Sequence, residues 1–225
     1  MAVSSAILTI TVVFAAAFAP SLIYLTWIRN RERFVHEPMS ILFRTFVYAA
    51  VVGIVVSYVF EAFIAQVLLP PSPILKAIVP TLVVAPIVEE GVKPLGVYML
   101  RNNKSFVHPI DGAIYGVSSG LGFAATENLI YESQALLAYG FSVWLLTFAF
   151  RAVTSTLIHA SATGLTGYGI GKWKFGSSKI RIVFFYAMAV LLHSLFNFVS
   201  TEGDLLTALV LAILSIAVVV AIIRE

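Results

Sequence analysis

Seven long apolar stretches constrain the fold of this chain more than any other feature of its sequence. A helix needs about 20 mostly apolar residues to cross the hydrocarbon core of a bilayer. Stretches of about that length or longer occupy residues 6–28, 41–68, 74–100, 112–138, 141–171, 181–200 and 205–223. We therefore expect an all-α, polytopic transmembrane helical bundle of about seven spans, with residues 1–225 forming one transmembrane domain.

The composition excludes several classes of protein. Only 11% of the 225 residues are charged and 60% are apolar, whereas soluble domains carry roughly 25% charged residues. The chain has no cysteine, which excludes disulfides, zinc–thiolate sites and a thiol nucleophile. The N-terminal segment lacks a basic region before its apolar run, so we expect a retained first span rather than a cleaved signal.

The basic residues lie at the edges of the apolar stretches and predict the orientation. Cytoplasmic loops of membrane proteins are enriched in lysine and arginine. Alternate loops would place ten basic residues on one side, namely Arg29, Arg31, Arg33, Arg101, Lys104, Lys172, Lys174, Lys179, Arg181 and Arg224. The opposite side has little charge beyond Lys76, Glu202 and Asp204. We therefore expect the N-terminus outside and the C-terminus inside. Because the basic residues that give the net charge of +3 lie at the edges of spans, we expect no nucleic-acid partner.

Ionisable residues inside four of the spans are the candidates for function. A charge at membrane depth costs about 2.5–3.5 kcal/mol on insertion scales, so each such residue needs a partner or a role. The residues are Glu89, Glu90 and Lys93 in the third stretch, Glu127 beside Asn128 in the fourth, Arg151 and His159 in the fifth, and His193 and Asn197 in the sixth.

The third stretch carries two carboxylates and one lysine within five residues. Lys93 follows Glu89 by four residues and Glu90 by three, so a helix lets it neutralise one of them and leaves the other in excess. Pro86 and Pro94 flank the group and remove backbone donors, which favours a site facing an internal cavity over one facing lipid. A self-neutralising structural cluster is the alternative interpretation.

Two histidines and a glutamate from three further stretches predict a metal site. His193 lies one turn from Asn197, so both side chains can face one pocket. Two imidazole nitrogens and one carboxylate oxygen form a catalytic zinc set, and we expect Glu127, His159 and His193 to bind a divalent metal, most simply zinc. Glu89 or Glu90 would then act as the base toward a water activated by that metal.

The fourth stretch also has glycines at intervals of four residues. Gly112, Gly116 and Gly120 would share one helix face. Small residues at this spacing let transmembrane helices approach closely, and this would bring Glu127 near its neighbours.

Three alternatives remain at this point. A carboxylate and a histidine can activate water without a metal. Acidic residues and histidines at membrane depth also relay protons in proton- or cation-coupled transporters, although such transporters usually carry internal repeats with paired broken helices. A non-catalytic binding or immunity scaffold is the third, and it would tolerate loss of the carboxylates.

The motifs resemble those of the PrsW family of intramembrane proteases. The resemblance covers about residues 80–200 and rests on E-E-x-x-K at Glu89 to Lys93, F-x-x-x-E-N at Phe123 to Asn128, and the later histidine motifs at His159 and His193. Thr163 stands where the family's third motif has an aspartate. The wider superfamily, which includes CAAX prenyl endopeptidases, has a histidine where this chain has Glu127.

The resemblance implies an intramembrane endopeptidase of the metallopeptidase type. Its substrate would be a membrane-anchored protein, such as an anti-sigma factor, cleaved near the extracytoplasmic boundary. The expected location is a prokaryotic cytoplasmic membrane.

Overall fold

The computed structural model describes residues 2–32, 36–68 and 72–225, and within these ranges the regular structure is helical throughout. Arg33, one of the basic residues above, lies outside the described residues. The helices are α1 (Ala2–Arg29), α2 (Met39–Val47), the π-helix π1 (Tyr48–Gly53), α3 (Ile54–Val67), α4 (Pro73–Val79), the π-helix π2 (Pro80–Val84), α5 (Ala85–Val92), α6 (Leu95–Met99), α7 (Pro109–Tyr139), α8 (Phe141–Val153), α9 (Ser155–Lys174), α10 (Ile180–Thr201) and α11 (Leu205–Ile223).

The all-α transmembrane fold is confirmed. Among the described residues, five helical segments are long and apolar enough to cross a membrane: Ala6–Arg29, Met39–Val67, Phe141–Lys174, Ile180–Thr201 and Leu205–Ile223. The other two predicted stretches are also helical. The predicted stretch 74–100 is divided into the short helices α4, π2, α5 and α6. The predicted stretch 112–138 lies within the 31-residue α7, which is rich in glycine and serine. The helices therefore roughly match the seven predicted stretches.

Prolines divide the third predicted stretch. Pro80 begins π2, and Pro94 stands between α5 and α6 with ψ near −8°. Proline lacks the backbone N–H that an uninterrupted helix needs. As a result α5 is only eight residues long and holds Glu89 and Glu90, with Lys93 at its C-terminal end.

The centre of the bundle is the antiparallel contact between α7 and α9. A Cβ atom added at Gly112, Gly116 or Gly120 would lie 2.2–2.4 Å from the backbone oxygens of Gly167, Thr163 and His159, respectively. Only glycine fits at such distances, so the predicted close approach is present. This contact sets the register that places His159 opposite the middle of α7.

Three loop segments meet at one end of the bundle. The Lys174 ammonium contacts the Phe106 carbonyl, and the Tyr115 hydroxyl donates a hydrogen bond of 2.5 Å to Glu37. The segments that precede α2, precede α7 and follow α9 are therefore neighbours. These basic segments therefore share one end of the bundle, and their placement in the cytoplasm stays a prediction.

The orientation is open to a labelling test, because the natural chain contains no cysteine. We expect Glu202→Cys to react with a membrane-impermeant maleimide in intact cells, and Asn102→Cys and Ser178→Cys to react only after lysis. Labelling of Ser178→Cys but not of Glu202→Cys in intact cells would reverse the proposed orientation.

The close contact between α7 and α9 predicts that adding a single methyl group at Gly112 destabilises the protein. We expect Gly112→Ala to lower the free energy of unfolding by about 1–3 kcal/mol, because the helices must separate to admit the Cβ. Gly53→Ala is the matched control, since its Cβ would lie 3.6 Å from the nearest atom. Thermal unfolding in detergent measures both, and equal midpoints for the two variants would contradict the explanation.

Candidate active site

A buried lysine lies at the centre of the ionisable cluster. The Lys93 ammonium lies 2.7 Å from Glu90 Oε1 and 3.2 Å from Glu89 Oε2, and its side chain is fully buried. It also faces the Phe123 ring, with 4.6 Å between Nζ and the ring centroid. Lys93 therefore contacts both carboxylates of its helix and not just one.

The third contact of the Lys93 ammonium is to His159 on α9. Nζ lies 2.8 Å from His159 Nδ1. Because an ammonium can only donate hydrogen bonds, Nδ1 must be the accepting nitrogen of the ring. The ring proton then lies on Nε2, which donates to Glu127 Oε2 at 2.9 Å. The His159 imidazole thus links the Lys93 ammonium to the Glu127 carboxylate through two hydrogen bonds.

Glu90 binds the second histidine. His193 Nδ1 lies 2.9 Å from Glu90 Oε1, and Thr163 donates to Glu90 Oε2 at 3.1 Å. Thr163, in the place of the family's aspartate, thus supplies a hydroxyl donor to a buried carboxylate. The rings of His159 and His193 meet edge to face, with centroids 4.9 Å apart.

Glu127 has a cationic partner that the sequence analysis did not assign to it. Arg151 on α8 lies 2.5 Å from Glu127 Oε2 and also donates to Asn128 Oδ1 at 2.8 Å. The Asn128 amide in turn donates to Thr156 at 2.9 Å. The sequence contains one indication of this pair. A glutamate and an arginine are both unusual inside a membrane span, and neither has an oppositely charged residue three or four positions away on its own helix.

The structure brings together six of the seven predicted site residues: Glu89, Glu90, Lys93, Glu127, His159 and His193. The seventh, Asn197, lies one turn from His193 but donates to the Thr81 carbonyl at 2.9 Å and is partly exposed. It therefore joins α10 to π2 and makes no direct bond to the six.

The donor atoms suited to a metal form a smaller group. One ligand atom each from Glu89, His159 and His193 lie within 4.8 Å of one another, and all three residues are buried. The histidines are those of the predicted set, whereas the carboxylate in this group is Glu89. One ring nitrogen of each imidazole is hydrogen-bonded to a carboxylate: His159 Nε2 to Glu127, and His193 Nδ1 to Glu90. Hydrogen bonds of this kind orient histidine ligands. The donor set therefore fits a divalent cation such as zinc.

A cleft connects the cluster to the outside of the bundle. Its cavity of about 640 Å³ is lined by α3 and α7, and both Glu89 and Glu127 face it. A substrate in this cleft would reach two carboxylates of the cluster without unfolding the bundle.

Buried carboxylates and imidazoles beside a cleft in a transmembrane bundle fit an intramembrane hydrolase. A family model described as "PrsW family intramembrane metalloprotease" matches residues 37–223. The chain belongs to this family, and it is a multi-pass membrane protease. This confirms the resemblance noted in the sequence and the protease interpretation over the transporter and the scaffold.

Relatives of this family are similar to most of the chain. Protease PrsW of Clostridioides difficile is 33% identical over 83% of this chain and 78% of its own length. Protease PrsW of Geobacillus kaustophilus is 27% identical over 81% of this chain and 77% of its own length. Protease PrsW of Bacillus subtilis is 26% identical over 84% of this chain and 83% of its own length. No solved structure matches the fold significantly.

The contacts of Lys93 predict a large loss of stability when its charge is removed. Lys93→Met leaves the buried carboxylates without their shared cation, and breaking a buried ion pair costs about 3–5 kcal/mol. We expect a strongly lowered unfolding temperature and reduced proteolysis. Adding Glu89→Gln to Lys93→Met should recover part of the loss, because it removes one unpaired charge.

Lys76→Met is the matched control, because Lys76 is exposed and makes no ion pair within the described part of the chain. If Lys93→Met unfolds at the same temperature as Lys76→Met, the ammonium does not stabilise the cluster.

Proposed function

We propose that the chain hydrolyses a peptide bond of a membrane-anchored protein with a water activated in the cluster beside the cleft. The observation that carries this proposal is the convergence of Glu89, His159 and His193 donor atoms within 4.8 Å. Two of the carboxylates that surround these histidines, Glu89 and Glu127, also face the cleft.

Glu89, His159 and His193 would hold a divalent cation, with zinc the cation that the donor set suits best. When bound, the cation polarises a carbonyl and lowers the pKa of water toward neutrality. The geometry favours Glu89 as the carboxylate ligand, because its carboxylate converges with both histidines within 4.8 Å, whereas Glu127 Oε2 is bonded to Arg151 and His159. The assignment expected from the sequence has Glu127 as the ligand and Glu89 or Glu90 as the base, and it differs in this one residue.

The two carboxylates that face the cleft, Glu89 and Glu127, would have different roles, one as the metal ligand and the other as the base. The one that is not a ligand accepts a proton from water as the water oxygen attacks the scissile carbonyl carbon. The same carboxyl group then returns the proton to the amine as the C–N bond breaks. Glu90, whose oxygens are bonded to Lys93, His193 and Thr163, would position these groups. Asn197 would position His193 by fixing α10 against π2.

A metal-free glutamate mechanism is the second candidate, and one contact favours it. The Lys93 ammonium already pairs with Glu89 and Glu90 and donates to His159 Nδ1. A cation and this ammonium would compete for the same nitrogen. In the metal-free mechanism, one cleft-facing carboxylate and one histidine activate the water directly.

The depth of the cluster supports cleavage near the extracytoplasmic boundary. His193 lies eight residues before the end of α10, which corresponds to roughly 12 Å along a helix. With the orientation proposed above, this end of α10 is outside. The substrate class is a membrane-anchored protein of the anti-sigma-factor type, as the family resemblance implies, in the cytoplasmic membrane of a prokaryote.

Metal content separates the two mechanisms. We expect purified wild-type protein to hold about one zinc per chain by elemental analysis and His159→Ala and His193→Ala to hold far less, because a metal site fails when one ligand is lost. A strong chelator should abolish cleavage and zinc should restore it. Full-rate cleavage by metal-free wild-type protein would exclude the metal and leave the glutamate mechanism.

The same measurement assigns the carboxylate ligand. We expect Glu89→Gln to lose bound zinc and Glu127→Gln to retain most of it while losing activity. Glu202→Gln, in an exposed loop, is the control for glutamate removal. The reverse result, zinc lost in Glu127→Gln and kept in Glu89→Gln, would support the assignment expected from the sequence.

A further inference from the structure

The cleft begins beyond the contacts that α2 and π1 make with α7. Thr126 donates to the Ala50 carbonyl at 2.8 Å, and Ser118 donates to the Leu42 carbonyl at 2.6 Å. Beyond these contacts the cavity of about 640 Å³ lies between α3 and α7. The side chains of Tyr58 and Tyr131 on its walls are 73% and 47% exposed, so the cleft opens sideways toward the lipid. A transmembrane segment in the lipid therefore has a lateral route to Glu89 and Glu127.

Two polar residues on the α3 wall of this cleft have no role in the cluster. The Ser57 side chain is almost fully buried, and its hydroxyl has no hydrogen-bond partner among the described residues. Glu61 lies one turn further along the same helix and faces the same cavity. Within the described part of the chain, its carboxylate makes no hydrogen bond and no ion pair.

This absence of partners distinguishes Glu61 from the other carboxylates in the cleft. Glu89 is bonded to Lys93, and Glu127 is bonded to Arg151. A carboxylate at membrane depth without a cation is costly, and such residues usually pair with another charge or mark a binding site. Because no lysine or arginine of the described residues forms an ion pair with Glu61, a ligand in the cleft is the natural source of a directly paired cation.

The chemistry of the reaction adds a second requirement. A substrate helix must unwind locally before one of its peptide bonds can be attacked, and each freed backbone group is costly in a membrane unless it finds a partner. The Ser57 hydroxyl can donate to a carbonyl and accept from an N–H group. Its position in the cleft suits an extended stretch of chain.

We propose that the cleft between α3 and α7 binds an unwound stretch of the substrate's transmembrane segment and that Glu61 selects a lysine or arginine near the scissile bond. Ser57 bonds to the backbone of that stretch. This inference rests on the proposed function, since it names the substrate feature that the same active site accepts.

A lysine scan of the substrate tests the selection. Single lysines are placed at successive positions around the cleavage site of a model single-span substrate, with glutamine at the same positions as the neutral counterpart. We expect wild-type protease to prefer lysine over glutamine at one or two adjacent positions by about tenfold in kcat/KM, the scale of one net hydrogen bond. Glu61→Gln should remove the preference, and Glu61→Lys should shift it toward glutamate.

Glu202→Gln is the matched control, and it should keep the wild-type preference. A wild-type enzyme that cleaves all lysine and glutamine substrates equally would overturn the inference while leaving the protease function intact. Equal loss of activity toward every substrate in Glu61→Gln would also overturn it, because that pattern shows a role in catalysis or stability instead of selection. If wild type and His193→Ala produce the same cleavage, the proposed active site itself has failed.

Crosslinking tests the path of the substrate without relying on Glu61 variants. In a His193→Ala background that traps the substrate, we expect Ser57→Cys to form a disulfide with a cysteine near the scissile bond. Phe60→Cys is the control, because Phe60 is exposed on the same helix but does not line the cleft. Crosslinking at Phe60 with none at Ser57 would place the substrate on another face of α3 and overturn the proposal.

Discussion

The Lys93 ammonium is the interaction on which the rest of the site depends. Its three donors are directed to Glu89, Glu90 and His159, so it contacts two buried carboxylates and fixes the tautomer of an imidazole at once. Without it, acidic residues from α5 would face Glu127 in a medium that screens charge poorly. The bundle can hold an acidic site inside the membrane because the buried Lys93 and the partly buried Arg151 pair with its carboxylates.

Backbone packing decides where these charges meet. The glycine face of α7 lets α9 approach so closely that a methyl group at Gly120 would lie 2.2 Å from the His159 carbonyl oxygen. Glu127 and His159 are then within hydrogen-bond distance, although 32 residues separate them. The short α5 and the longer α10 complete the site from the other side. The side chains of the cluster thus come from helices, two of which approach closely through glycines.

Much of this arrangement was predictable, for identifiable reasons. The approximate positions of the helical stretches follow from apolar length, and the E-E-x-x-K spacing predicted an ion pair because residues three and four apart face each other on a helix. The pairing of Glu127 with Arg151 was not predictable, since it depends on how α7 and α8 fold back at Gly140. The convergence of Glu89, and not Glu127, with the two histidine donor atoms and the unpaired Glu61 of the described chain were not predictable either, because both depend on distances between helices.

The sequence positions of Lys93 and Arg151 bear on how the protein enters the membrane during synthesis. Lys93 follows Glu89 and Glu90 by four and three residues, so it can pair with them as soon as that helical turn forms, before α9 and α10 have been made. Arg151 follows Glu127 by 24 residues and belongs to the next helix. Glu127 therefore gains its partner only when α7 and α8 enter together as a hairpin, which makes the tight turn at Gly140 a requirement for biogenesis as well as for the folded site.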